Sequence, residues 1–284
     1  MQTIGVLGFG SMGAGIVDLC ARAGLSVLVL DQSPERLDAG HRAITEFHAA
    51  GIARGLTDPA LLEQVTQRIT GTVDPADLAA ADLIVEAVTE DEGVKAEVLG
   101  RVATHVSEEC VIASNTSGLS VTRLATYVSR PERFGGLHFF NPAQLMRLVE
   151  VIRPIQADKA TVSTLVAFAE RIDRHPVVVK DRPGFLVNHL LIPYLNQAIQ
   201  EYDDGLATCA DLATAVKLGL GYPMGPLQLL DRIGLDTHLH ATGVIYEDTA
   251  DPGFAAPALL RELVAAGRLG RKTGSGISDL EDPR

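Results

Sequence analysis

Residues 3–31 read TIGVLGFGSMGAGIVDLCARAGLSVLVLD. The order is a short apolar run, a glycine-rich turn, an apolar-periodic stretch and a second apolar run ending on an acid. Residues 3–7 suit a strand buried on both faces, as strands of parallel sheets are. Gly8-Phe9-Gly10-Ser11-Met12-Gly13 forms the turn. From residue 14 to 23, Ile16, Val17, Leu19, Cys20 and Ala23 recur at helical spacing, and Gly24 is placed to end that helix. Residues 26–30, SVLVL, form a second strand running into Asp31. The stretch is one βαβ unit of about 30 residues.

The turn fits GxGxxG. The first glycine permits the tight turn, the second lets backbone approach a pyrophosphate, and the third lets helix pack against strand. The N–H groups that open the helix, together with its dipole, suit a phosphate. The motif follows a strand, opens a helix and is followed by an acid at the end of the next strand. That context makes it a dinucleotide-binding fingerprint. Gly8, Phe9, Gly10, Ser11, Met12, Gly13 and Asp31 are the expected cofactor contacts. A carboxylate at Asp31 accepts from ribose hydroxyls and repels a 2′-phosphate, so NAD is expected over NADP.

Outward from this unit the alternation continues. Residues 34–50 read as a helix, 82–87 (DLIVEA) as a strand, 94–106 as a helix, and 111–114, 134–140, 148–152 and 176–179 as strands. Strands alternating with helices imply a doubly wound α/β sheet of the Rossmann type. Beyond Arg182-Pro183-Gly184 no further strand is evident. Residues 185–202, 209–218, 226–246 and 257–266 read as helices separated by Pro and Gly. The expected division is an α/β nucleotide domain at 1–182 and an all-α domain at 183–284.

The 284 residues carry a formal net charge of −12, with 46% hydrophobic and 21% charged side chains, which excludes general disorder. A strongly acidic chain lacks the clustered cations that a nucleic-acid surface needs. Arg outnumbers Lys 19 to 5, so planar anion contacts remain available locally. Cys20, Cys110 and Cys209 are isolated and odd in number, which reads as buried thiols in a reducing compartment and not as disulfides or a zinc site. No metal set is evident. The N-terminus lacks a signal-peptide pattern and no apolar run reaches membrane-span length, so a cytoplasmic protein is expected.

The middle of the chain carries polar residues in unusual places. Asn115-Thr116-Ser117 follows the strand VIAS, His138 lies in GLHFFNP, and Glu150 lies inside the apolar run LVEVI. A buried carboxylate is costly unless paired, and His138 is the evident partner. A His–Glu pair suits a general base whose tautomer is set by a carboxylate.

With these residues in view, the stretches VLGFGSMGAGI, IVEAVTED, ASNTSGLS, GLHFFNPAQLMRLVEVI, DRPGFLVNHLLIPYLNQAI, KLGLGYPMGPLQLLDRIGLD and LVAAGRLGRKTGSG resemble the NAD-dependent L-3-hydroxyacyl-CoA dehydrogenases, the 3-hydroxybutyryl-CoA dehydrogenases of bacteria. The resemblance runs over nearly the whole chain. It implies a base at His138 oriented by Glu150, with Ser117 holding the substrate hydroxyl and the nicotinamide side. It also implies Asn188 on the substrate carbonyl, further NAD contacts at Glu90, Lys95, Asn115, Asn141 and Lys272, and a homodimer formed by the helical domain. By residue type alone, Ser117 reads equally as a helix cap, Asn188 as a polar face residue, and Lys95 and Lys272 as solvated charges.

Four positions depart from the family pattern: Gly118 in place of a second serine, His189 after Asn188, Ile277-Ser278 after Gly276, and the helix after Asp31. That helix places Phe47 where the family's CoA-contacting serine falls and Arg54 where its basic residue falls, with no Lys from 41 to 55. The expected substrate is a 3-hydroxyacyl thioester, carried by CoA by default. One alternative is a hydroxyacyl group tethered to an acyl carrier protein, as in the building of polyketide extender units. Another is a non-catalytic NAD-binding structural protein on the same fold.

Overall fold

The computed structural model describes residues 1–280 and divides into two compact units, Met1–Arg182 and Pro183–Arg284. The first unit runs β1 (Thr3–Leu7), α1 (Ser11–Arg22), β2 (Ser26–Leu30), α2 (Pro34–Ala53), α3 (Pro59–Thr66), β3 (Ile69–Thr72), β4 (Leu83–Glu86), α4 (Glu92–Ala103), β5 (Val111–Ser114), α5 (Val121–Leu124), β6 (Phe134–Phe139), β7 (Leu148–Arg153), α6 (Lys159–Arg171) and β8 (His175–Lys180). Its strands form one eight-stranded sheet in the order β3-β2-β1-β4-β5-β6-β7-β8. Every neighbouring pair is parallel except β6 and β7, which are antiparallel. β1 lies between β2 and β4, so strand order reverses beside the glycine turn. Ligands of doubly wound sheets bind at the carboxyl ends of strands at such a switch point.

The apolar character of β1, β4 and β5 follows from burial on both faces. Ile4, Val6, Leu83, Ile84, Val85 and Ala113 are fully buried. On α1, residues Gly13 through Ala21 are all buried, and Ile16, Val17 and Cys20 join the same core as Val29, Val65 and Leu83. Truncating one of these large aliphatics to Ala leaves a cavity and costs about 2–5 kcal/mol.

The strand and helix bounds expected from the sequence do not include β3 or α6. Edge strand β3 reads ITGT and is at most half buried, so no apolar run marks it. Helix α6 is required by topology, because β7 and β8 run parallel and need a crossover between them. Helix ends also move. The helix read at 34–50 continues to Ala53, and that read at 94–106 spans Glu92–Ala103, where Asp91 caps it by accepting from Val94 N at 2.9 Å.

The second unit is helical: α7 (Val187–Asp203), α8 (Cys209–Gly219), α9 (Pro226–Ile233), α10 (Leu235–Thr249) and α11 (Ala258–Ala265). The single helix expected at 226–246 is two helices. Gly234 sits at φ +102° between them, a backbone conformation that ends a helix and that side chains disfavour. Leu195, Ile199, Leu227, Leu230, Leu235 and Leu260 form the core of this unit. Among the described residues no helix is long and apolar enough to cross a membrane. Cys20, Cys110 and Cys209 are all buried.

A buried polar chain pins α7 to α10. Asn196 Nδ2 donates to Thr242 Oγ1 at 2.9 Å, and Thr242 Oγ1 donates to the Phe254 carbonyl at 2.8 Å. His238 Nε2 lies 2.8 Å from Asn196 Oδ1, which assigns its proton to that nitrogen. Burial pushes the His238 imidazole down from 6.5 to about 4. The unfolded chain therefore binds a proton that the folded unit refuses between those values. The stability this group contributes is complete above about pH 6.5 and is lost as pH falls toward 4. Urea unfolding at pH 7 and pH 5 should show His238→Gln losing about 2 kcal/mol less than the parent over that interval. Equal losses would show that His238 is not the titrating group.

Candidate functional site

The glycine turn after β1 has the shape the fingerprint requires. Gly8 adopts φ +91°. A Cβ on Gly13 would fall 2.0 Å from the Gly8 carbonyl oxygen, so α1 can start this close to β1 only with glycine there. Nothing lies within 4 Å of a Cβ built on Gly10, which leaves the turn open at the point where a pyrophosphate approaches. Gly10 is the N-cap of α1 and no side chain caps the helix, so its first N–H groups, from Ser11, Met12 and Gly13, are available to an anion. The residues present thus fit a dinucleotide.

Asp31 stands beside this turn. Its Oδ2 accepts from Phe9 N at 2.6 Å and its Oδ1 from Gln32 N at 2.7 Å. The carboxylate therefore braces the turn as well as facing a cleft of about 420 Å³ lined by Gly8, Gly10, Asp31, Arg36, Val88 and Arg101. Arg36 and Arg101 were not singled out by motif.

The carboxyl ends of β4 and β5 carry a buried ionic network. Glu86 and Lys95 are fully buried. Lys95 Nζ donates to Glu86 Oε1 at 2.6 Å and to the Val88 carbonyl at 3.4 Å, and lies 3.3 Å from Glu90 Oε2. Glu86 also accepts from Val88 N at 2.7 Å and from Ser114 Oγ at 2.5 Å. Glu90 accepts from Thr116 Oγ1 at 2.5 Å, Ser117 N at 2.8 Å and Gly118 N at 3.1 Å. Burial opposes the charge of Glu90, but Lys95 and these three donors outweigh it and hold the carboxyl below the usual range. Lys95 is thus no solvated surface charge. Its donors are committed inside the protein, to Glu86, Glu90 and the carbonyl of Val88, a residue that lines the cleft.

This network shapes the turn after β5. Asn115 N donates to the Glu86 carbonyl at 2.7 Å, and Asn115 Oδ1 accepts from Phe139 N at 2.9 Å, tying β5 to β6. Ser117 is exposed on the turn and caps no helix. The cap of α5 is Ser120, which accepts from Arg123 N.

His138 and Glu150 are directly paired residues of antiparallel β6 and β7. His138 Nδ1 lies 2.7 Å from Glu150 Oε2, with Glu150 fully buried and His138 4% exposed. An ionised carboxylate accepts only, so the partner assigns the imidazole proton to Nδ1 and leaves the ring's lone pair on Nε2. The Phe140 ring lies 4.5 Å from the imidazole. Asn141, next along, is exposed and precedes a cis proline.

Three residues lie outside this constellation. Arg54 is exposed at the C-cap of α2. Asn188 is half-buried in the first turn of α7, in the second unit. Lys272, also in the second unit, donates to Asp236 Oδ2 at 2.6 Å and holds that carboxyl below its usual range. Sequence reasoning passed over Glu86, although DLIVEA carries the same signal that singled out Glu150, a carboxylate in an apolar strand. Among the described residues no group of three or more His, Cys, Asp or Glu could hold a metal ion.

The two glycines separate folding from ligand binding. Gly10→Ala meets no atom and should leave the thermal midpoint within about 2 °C of the parent while NAD affinity falls at least about tenfold. Gly13→Ala should lower both. Calorimetric titration and thermal melts check the pair, and undiminished affinity in Gly10→Ala would contradict the placement of the pyrophosphate.

Residues 3–182 match the family described as 3-hydroxyacyl-CoA dehydrogenase, NAD binding domain, and residues 184–280 match its C-terminal domain. A probable 3-hydroxybutyryl-CoA dehydrogenase of Deinococcus radiodurans is 41% identical over 277 residues, covering 96% of this chain and 98% of that protein. A mitochondrial hydroxyacyl-coenzyme A dehydrogenase of Sus scrofa is 40% identical over 284 residues, covering 98% and 90%. The crystal structure of the (S)-3-hydroxybutyryl-CoA dehydrogenase from Ralstonia eutropha superposes with a TM-score of 0.93 at 40% identity, covering 97% of this chain and 98% of that one. On both halves and over nearly its whole length, the chain belongs to the 3-hydroxyacyl-CoA dehydrogenase family.

Proposed function

We propose that the protein is an NAD-dependent dehydrogenase that interconverts a 3-hydroxyacyl thioester and its 3-ketoacyl thioester, with a short acyl-CoA as substrate. The observation that carries this reading is the 2.7 Å His138–Glu150 pair in the same sheet as the glycine turn. NAD, when bound, supplies the hydride acceptor at C4 of the nicotinamide. In the oxidative direction Nε2 of His138 takes the proton of the C3 hydroxyl, and the imidazolium is held against the Glu150 carboxylate. In the reductive direction the same nitrogen returns the proton to the ketone oxygen. Ser117, exposed on the turn after β5, hydrogen-bonds the C3 oxygen. Asn188 is assigned the thioester carbonyl.

His138→Gln should lower kcat by about 10²–10⁴-fold, the range for a lost general base, with NAD affinity unchanged. Glu150→Gln should lower kcat by at least about tenfold and by less than His138→Gln, because an amide still accepts from Nδ1 but does not balance the imidazolium. Full turnover by His138→Gln would reject the mechanism, and NAD binding without turnover in the parent protein would favour a non-catalytic role.

A second reading keeps the chemistry and replaces CoA by a carrier protein. It is favoured by α2, where half-buried Phe47 stands against His48 and Arg54 is the one cation from 43 to 55. Matched kinetics on hydroxyacyl-CoA and hydroxyacyl-carrier substrates separate the two, and efficient turnover of the CoA ester sinks the carrier reading. We also assign a homodimer to the helical unit, which exposes Leu190, Leu218 and Leu220 at 65%, 82% and 62%. Light scattering at the mass of one chain would reject it.

A further inference from the structure

Two carboxylates share one ammonium beneath the cleft. Glu86 and Glu90 contribute two negative charges and Lys95 one positive, all within hydrogen-bond or ion-pair distance of Lys95 Nζ. Glu86 accepts three side-chain-directed hydrogen bonds, from Val88 N, Lys95 Nζ and Ser114 Oγ, which is the pattern of a carboxylate. The cluster keeps a formal charge of −1 in a place where burial weakens screening by salt.

Strand order says which part of a dinucleotide lies above it. Asp31 follows β2, the glycine turn follows β1, Glu86 ends β4, Ser117 follows β5 and His138 lies in β6. The ribose partner of Asp31 is at one end of this series. The reacting ring, which must come within reach of His138, is at the other, past the glycine turn and over the ends of β4 and β5. Resting on the dehydrogenase reading, we propose that Glu86 is a positioning residue whose charge, held in place by Lys95 and Ser114, raises the site's affinity for the oxidised cofactor relative to the reduced one.

The physics is a difference between two charge states of one ligand. The nicotinamide ring is a cation when oxidised and neutral when reduced, and the remainder of the dinucleotide is unchanged. A fixed negative charge therefore stabilises the oxidised form selectively. With the pyrophosphate at the start of α1, strand order brings the ring over the ends of β4 and β5, near the Glu86–Lys95–Glu90 cluster, and this arrangement matches the alternation of charge along the oxidised dinucleotide. Glu86 also sets the turn that carries Ser117, because its partner Lys95 holds Glu90, and Glu90 holds the N–H groups of Ser117 and Gly118.

The test is equilibrium binding of NAD+ and NADH, measured by calorimetry on the whole chain without substrate. Glu86→Gln keeps the shape of the side chain and removes its charge. It should raise the ratio of Kd for NAD+ to Kd for NADH by about threefold or more. Ser114→Ala removes a hydrogen bond but no charge, and should weaken both forms alike. A ratio unchanged in Glu86→Gln, or shifted as far by Ser114→Ala, overturns the proposal. If Glu86→Gln does not fold, Glu90→Gln removes a unit of the same charge from the partly exposed end. It must move the ratio the same way, and an unchanged ratio there also overturns the proposal. Failure of the parent protein to bind either form would instead overturn the dehydrogenase reading.

Discussion

Two carboxylates placed inside apolar strands constrain the first unit more than any other polar feature. Glu86 and Glu150 are both fully buried. An ionised carboxylate out of water costs several kcal/mol unless it is paired and hydrogen-bonded. Each has met that cost with a basic partner delivered by the fold. Lys95 reaches Glu86 from the first turn of α4, and His138 meets Glu150 across an antiparallel strand pair. Because β6 and β7 run antiparallel in an otherwise parallel sheet, the two residues stand directly opposite. A one-residue slip in register would send them to opposite faces.

The surrounding geometry explains how a chain of net charge −12 handles an anionic cofactor. The dinucleotide phosphates need no lysine where a helix start presents its N–H groups. The glycines at 8 and 13 bring that start close to β1, and Asp31 fastens the Phe9 amide from the side. Negative residues are then concentrated where a positive ring is expected. The overall acidity therefore says little about the ligand, and the distribution of charge along the strand ends says much more.

Much of this is legible in the sequence. The βαβ unit, the change at Pro183 from mixed to helical structure, and Glu150 in need of a partner all came from patterns local in sequence. What escaped was non-local or weakly patterned. Glu86 meets Ser114 28 residues away, and Lys95 looked like an ordinary surface charge because nothing in its neighbours shows that α4 turns it inward. Strand β3 is short and poor in apolar residues, and the break at Gly234 interrupts an apolar periodicity that runs on regardless. By residue type Ser117 suits either a cap or a ligand contact. The cap three residues later, at Ser120, removes the first of these, and exposure of Ser117 is compatible with the second.

In the proposed mechanism His138, held by Glu150, exchanges a proton with the C3 oxygen of a hydroxyacyl thioester. The most direct measurement is a crystal structure of the protein with NAD+ and a 3-ketoacyl-CoA. The C3 oxygen should lie about 2.6–3.2 Å from Nε2 of His138, with Nδ1 still on Glu150 and the pyrophosphate over the Ser11–Gly13 amides. A C3 oxygen bound away from His138, or a His138 ring turned off Glu150, would contradict that mechanism.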